Sequence, residues 1–247
     1  MADVCKHCGG TGWIIVEKDG LSGASRCACQ NEGRSERLLD FARIPANFAE
    51  DAFDNFQMRG SKELGEVMLY LKQYADNYPA VEPPGVLLVG EPGTGKTHLA
   101  VATAKRLIEH GFSVLFTDYS HLLSRIRASY DPATGADRDA FKEAMECEIL
   151  LLDDLGAHRV TDWVEDTVTS IITYRANGRK PTIFTTNLPD PDMGGQVIER
   201  NPEGSPARFD IKTTLTEKIG MRARSRLFEM CKILKMPKVG DYRIRQF

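Results

Sequence analysis

The spacing of apolar residues changes along the chain, and each spacing predicts a different element. Leu64, Val67, Met68 and Leu71 recur at i, i+3, i+4 and i+7, which predicts an amphipathic helix with Ser61 as its N-cap. Gly85–Val89 (GVLLV) is a short unbroken apolar run, hence a buried strand. Thr97–His110 then predicts a helix that stops at Gly111. Ser113–Phe116 reads as strand, Ser120–Ser129 as helix, and 130–137 (YDPATGAD) as loop. Asp139–Cys147 is a helix, Ile149–Leu152 a strand, Asp162–Ala176 a helix and Thr182–Thr186 a strand. Residues 190–210, rich in Pro, Gly and charge, predict an exposed loop, followed by a helix over Glu217–Met230 and a short strand near Lys232–Leu234.

Strands alternating with helices at this spacing predict βαβ units, so the fold class is α/β, with a parallel sheet covered by helices on both faces. Near-continuous apolar strands agree, because such strands are buried on both sides. Ahead of this region, residues 1–32 are rich in Cys and Gly, and Gly33–Phe41 is suited to a short helix. Residues 44–57 (IPANFAEDAFDNFQ) are irregular with scattered aromatics, a linker that packs on the next domain. The resulting division is an N-terminal module over 1–45, a linker over 46–60 and the α/β domain over 61–247.

Composition narrows the function classes. Lys plus Arg number 32 against 35 Asp plus Glu, so the formal charge of −3 disfavours a mainly electrostatic nucleic-acid coat but permits a local basic groove. No apolar run approaches the ~20 residues needed to cross a bilayer. The start, MADVCKHCGG, has no apolar core of a signal peptide, so the expectation is a cytoplasmic protein with no membrane association. Thiols there stay reduced, and clustered cysteines suggest metal before disulfide.

Gly90-Glu91-Pro92-Gly93-Thr94-Gly95-Lys96-Thr97, followed by His98, fits G-x-x-x-x-G-K-[ST] between a predicted strand and a predicted helix. Glycines let backbone N–H groups curl around phosphate oxygens, and the helix N-terminus adds partial positive charge. Lys96 is expected on the β- and γ-phosphates, and the Thr97 hydroxyl on Mg²⁺. Asp153 and Asp154 end the apolar run ILLL, where two carboxylates need compensation by a cation or hydrogen bonds. Asp153 is expected to hold the Mg²⁺ shell and Asp154 to polarise the attacking water. Asn187 ends the next strand, either as an orienting donor at the same sheet edge or as a turn residue before Leu188-Pro189.

Arg222 and Arg226 share a helix face at i, i+4. They are either a solvated basic face or a source of positive charge for a developing γ-phosphate, in trans if subunits form a ring. Arg125, Arg127 and Tyr130 are likewise either a solvated helix face or groups that pair phosphate and stack a base of single-stranded DNA. At the N-terminus, Cys5-Lys-His-Cys8 and Cys27-Ala-Cys29 supply four thiolates, a set that suits a closed, structural Zn²⁺ site. A segment of this length buries little core, so metal would supply its folding energy. A redox pair, free thiols, or His7 replacing one Cys are the alternatives. Cys147 and Cys231 lie in apolar settings and read as core.

Taken together, GEPGTGKTHLA, ILLLDDLGA, TIFTTNLP and the terminal RSRLFEM with DYR resemble the DnaC/DnaI-type loaders of the bacterial replicative helicase. They resemble equally the IstB-type ATPases that assist transposition, and both groups are AAA+ proteins. The resemblance spans about residues 44–247. It implies an AAA+ ATPase core without a C-terminal helical lid, ATP or ADP as ligand, and slow, DNA-stimulated hydrolysis. By the resemblance Arg226 matches the arginine finger, with Arg222 as a second candidate. A loader would meet a hexameric replicative helicase and single-stranded DNA, and would form a ring or spiral of its own copies when ATP is bound. A zinc-bearing N-terminal module that contacts the helicase is similar in plan to the DnaI kind.

Overall fold

The computed structural model describes residues 5–9, 11, 13–18, 21–26, 28–58, 60–130, 140–191, 198–199, 210–211 and 213–240. At the N-terminal end, strands β1 (Trp13–Lys18) and β2 (Leu21–Arg26) form an antiparallel hairpin. The sequence analysis did not anticipate it: Asp19-Gly20 after the β-prone run WIIVEK is a hairpin signal, but the second strand, LSGASR, has no β-branched or aromatic residue. Helix α1 (Ala28–Ala42) starts five residues earlier than the expected helix at Gly33, and so takes in Cys29. A 3-10 turn over Ala46–Phe48 follows.

Helix α2 (Lys62–Asn77) is capped by the Ser61 side chain, which accepts from the Leu64 N–H. Then come β3 (Gly85–Val89), α3 (Lys96–Glu109), β4 (Val114–Asp118), α4 (Tyr119–Ala128), α5 (Ala140–Glu146), β5 (Ile149–Asp153), α6 (Asp162–Asn177) and β6 (Thr182–Thr186). Two-residue strands β7 (Ile198–Glu199) and β8 (Asp210–Ile211) pair within the segment expected to be loop; the rest of that segment from 192 to 209 lies outside the described residues, as does 131–139. Helix α7 (Leu215–Met230) and strand β9 (Cys231–Lys235) complete the order.

Five strands form one sheet in the order β4-β5-β6-β3-β9, with every pair parallel. Alternate strand residues serve opposite faces. Leu87, Leu115, Leu150, Leu152 and Phe184 pack with α4 to α7, whereas Val86, Leu88, Phe116, Leu151 and Ile183 pack with α2 and α3. The 44–57 segment packs as expected: Phe56 is buried, and Phe48 and Phe53 lie against the second core. Because every strand runs the same way, β3, β4, β5 and β6 all deliver their C-terminal residues to one edge.

Helix α7 is not the continuous helix its spacing suggests. Gly220 interrupts it at φ 79°, a left-handed conformation, and a Cβ there would lie 2.2 Å from the Glu165 carboxylate. Thr214 caps the first half, with Glu217 completing a reciprocal capping box.

At the opposite sheet edge Arg175 is fully buried. Its guanidinium donates to the Thr182 hydroxyl at 2.7 Å and to the carbonyls of Ala144, Met145, Cys147, Glu148 and Pro181. Burial pushes its pKa down, and among the described residues carbonyl and hydroxyl oxygens, not a carboxylate, meet the charge. The arginine thereby fixes the entries to β5 and β6 against α5. We predict that Arg175→Met, which orphans those acceptors, destabilises the fold by about 3 kcal/mol or more. The urea unfolding midpoint measures it.

Candidate nucleotide-binding site

The strand edge opens on a cavity of about 230 Å³ lined by Phe48, Asp51, Gly93, Gly95, Lys96, Thr97, His98, Asp118, Asp153, Asp154, Thr185 and Asn187. The loop between β3 and α3 supplies its floor. Gly95 takes φ 90° immediately before the first residue of α3, a conformation that L side chains resist. That turn leaves the helix N-terminus facing the cavity. Lys96 is nearly buried, and its ammonium donates to the carbonyls of Gly90 at 2.9 Å and Glu91 at 2.8 Å. Of the loop residues expected at a nucleotide, Gly93, Gly95, Lys96, Thr97 and His98 line the cavity. Gly90, Glu91, Pro92 and Thr94 belong to the turn but not to the cavity wall. The Thr94 hydroxyl instead donates to the Glu91 carbonyl at 2.8 Å, stiffening the turn.

Asp153, the last residue of β5, is buried. Thr97 Oγ1 donates to its two oxygens at 3.0 and 3.2 Å, and Thr185 Oγ1 donates to Oδ1 at 2.6 Å. Burial raises its pKa, the two threonine hydroxyls oppose that rise, and the charges of Asp154 and Asp118 add to it. Thr185 also accepts from the Asp154 N–H at 2.8 Å. Asp154 is held at φ 56°, an uncommon state for a residue with a side chain, at the sharp turn out of β5. Its Oδ1 accepts from Asn187 Nδ2 at 2.7 Å. The oxygen donors Thr97 and Asp153 make a hard-ligand set that fits Mg²⁺. A second acid beside them, oriented by an amide, can polarise water.

Four wall residues went unread in the sequence: Thr185, described above, and Asp118, Phe48 and Asp51. Asp118 ends β4 in register with Asp153 and caps α4, accepting from the His121 N–H at 2.8 Å. Phe48 and Asp51 come from the linker, which His98 fastens: its Nε2 lies 2.8 Å from the Ala52 carbonyl and its ring 5.1 Å from Phe56. Burial raises the Asp51 pKa, against the pull of His98 and Lys105. Only the strand order brings Asp118 to this edge, and only tertiary packing brings the linker.

Arg226 does not line the cavity. It lies with Arg222 in an open groove between α5, α6 and α7, and its guanidinium pairs with Glu229 at 2.7 Å. Among the expected zinc ligands, Cys5 and Cys8 flank a tight turn in which the Gly9 N–H donates to the Cys5 carbonyl at 2.8 Å. Cys27 and the Cys29 side chain lie outside the described residues, and among the described residues no cluster of three or more metal-ligating side chains occurs.

The raised pKa of Asp153 has a sign that can be tested. The folded state binds this proton more tightly than the unfolded chain, so folding stability falls as pH rises from the unfolded carboxylate range through the folded value. We predict that Asp153→Asn removes this dependence and stabilises the nucleotide-free protein at neutral pH by about 1 kcal/mol. Urea titrations at several pH values check it.

A family model described as "IstB-like ATP binding protein" matches residues 28–197. Phage-like element PBSX protein XkdC of Bacillus subtilis (strain 168) is 27% identical over 201 residues, covering 74% of this chain and 71% of that protein. The replicative helicase loader DnaC of Buchnera aphidicola subsp. Acyrthosiphon pisum (strain APS) is 24% identical over 172 residues, covering 68% and 69%. A crystal structure of the DnaC helicase loader is similar at a TM-score of 0.62 and 29% identity, over 78% of this chain and 100% of that one. The glycine-turned loop, the acid-ended strand beside it and a family match over most of the chain agree, and this chain belongs to the IstB-like ATP-binding protein family.

Proposed function

We propose that the protein is an ATPase that loads the replicative DNA helicase onto single-stranded DNA during DNA replication. The observation that carries the catalytic part is the convergence of Lys96, Thr97, Asp153, Asp154 and Asn187 on one cavity. Lys96 exchanges its loop carbonyls for the β- and γ-phosphate oxygens. Thr97 and Asp153 would hold Mg²⁺, which would draw negative charge off the phosphates. Asp154 takes the position of water-polarising acid, with Asn187 orienting it. Arg226, with Arg222 as the alternative, acts from a neighbouring copy in a ring or spiral, because both stand apart from their own cavity.

The named DnaC relatives favour the loader role. In this reading residues 1–45 form a module held by zinc on Cys5, Cys8, Cys27 and Cys29, and that module grips the hexameric helicase. Residues 46–60 link it to the ATPase domain over 61–247. Single-stranded DNA meets the C-terminal end of α4. There Arg127 lies 4.7 Å over the Trp163 ring, and Tyr130, two-thirds exposed, stands edge-on to the same ring. The IstB description of the family favours a second reading, an ATPase that assists transposition through a transposase. A pull-down of the full chain against a replicative helicase and a transposase separates the two.

Lys96→Ala is expected to weaken ATP binding about a hundredfold or more, measured by calorimetry. Asp154→Asn is expected to bind ATP normally but lose about a hundredfold of its DNA-stimulated turnover, since Asn tolerates the left-handed backbone while lacking the charge. ATP binding without turnover in the unmodified protein, with DNA present, would instead mark a nucleotide-operated switch. Metal analysis is expected to find one zinc per chain, lost on Cys5→Ser together with Cys8→Ser.

A further inference from the structure

Asp190, three residues beyond Asn187, is completely buried. Arg224 on α7 grips it with a two-pronged contact, Nε to Oδ2 at 2.5 Å and Nη2 to Oδ1 at 2.6 Å. The same guanidinium lies 4.2 Å over the Phe228 ring, so the fork is fixed from a second side. The segment between Asn187 and Asp190 is fastened along its length. The Leu188 N–H donates to Thr186 Oγ1 at 3.2 Å, Leu188 packs against Gly156 in the turn after Asp154, and the Pro189 carbonyl accepts from the Leu215 N–H at 3.0 Å.

These contacts divide between the two halves of α7. Leu215 lies before the break at Gly220 and Arg224 after it. The half that carries Arg222 and Arg226 therefore reaches the exit of β6 through Arg224. We infer that Arg224 is a positioning residue: its fork on Asp190 sets where Asn187 stands relative to Asp154, and so ties the arginine-bearing half of α7 to the water-polarising acid. A displacement of that half, such as a neighbouring molecule in the groove between α6 and α7 would impose, is passed to the Asn187–Asp154 pair without touching the phosphate loop. The inference rests on the ATPase reading above and adds to it a route of control.

The test is a double-mutant cycle on the full chain, with ATP affinity, thermal midpoint and DNA-stimulated kcat read in parallel. Arg224→Met is expected to lower kcat about tenfold while leaving ATP affinity within about twofold. If Arg224 acts through Asn187, the same substitution in an Asn187→Ala background is expected to lower kcat by less than about twofold further. Arg224→Lys, which keeps the charge but not the fork, is expected to fold and to recover part of kcat; should Arg224→Met fail to fold, the cycle is run with Arg224→Lys. Additive losses, or a fall in ATP affinity and thermal midpoint with no separate loss of kcat, would show a structural staple and overturn the inference while leaving the ATPase reading intact. Absence of turnover in the unmodified protein would overturn both.

Discussion

A carboxylate buried at the end of a central strand is the constraint around which this site is organised. Asp153 sits where desolvation opposes its charge, and the fold answers with two threonine hydroxyls, one from the first turn of α3 and one from β6. Each of those partners is itself committed. Thr97 follows the lysine of the glycine loop, and Thr185 also accepts from the backbone of Asp154. The oxygens that satisfy Asp153 thus fix α3, β5 and β6 relative to one another. Asp154 then has little choice of backbone conformation, and its φ of 56° follows from the turn that lets its N–H reach Thr185.

The parts of this arrangement that were legible in the sequence are those whose physics is local. Five-residue apolar runs predict buried parallel strands, and Thr182–Thr186 and Gly85–Val89 occupy the residues their composition suggests. A glycine-rich turn followed by Lys-Thr is likewise a local solution to wrapping a phosphate. What remained hidden depends on partners distant along the chain. Asp118 becomes a wall of the cavity only because β4 lies next to β5. Arg175 reads as one more charged helix residue until five carbonyls from 144–148 and 181 are seen to converge on it. Arg224 gave no separate signal beside Arg222 and Arg226, yet it alone of the three faces inward, to Asp190. The Gly220 break was hidden for another reason: Glu165 comes too close there for any Cβ, and no helical periodicity records that approach.

The contrast among those three arginines also bears on what each can do. Arg224 has its charge spent on a fully buried carboxylate. Among the described residues Arg226 pairs with an exposed carboxylate three residues away on its own helix, a contact of small energetic weight that another anion displaces at little cost. A helix presenting one inward arginine between two outward ones can be anchored and still offer charge to an incoming molecule.

Finally, the electrostatics of the cavity dictate what kind of ligand it accepts. Four of its lining residues are aspartates, at 51, 118, 153 and 154, against one lysine whose ammonium is turned onto its own loop carbonyls. Backbone N–H groups and a helix N-terminus favour a phosphate at the floor, but the carboxylate wall repels the same group. A polyphosphate entering alone would set three or four negative charges against that wall in a partly desolvated space, where each close pair is repulsive by more than in water. A divalent cation, which Thr97 and Asp153 would hold, would offset that repulsion. Of the two ways a nucleotide could enter this carboxylate-lined cavity, with or without a divalent cation, the first would therefore meet less repulsion.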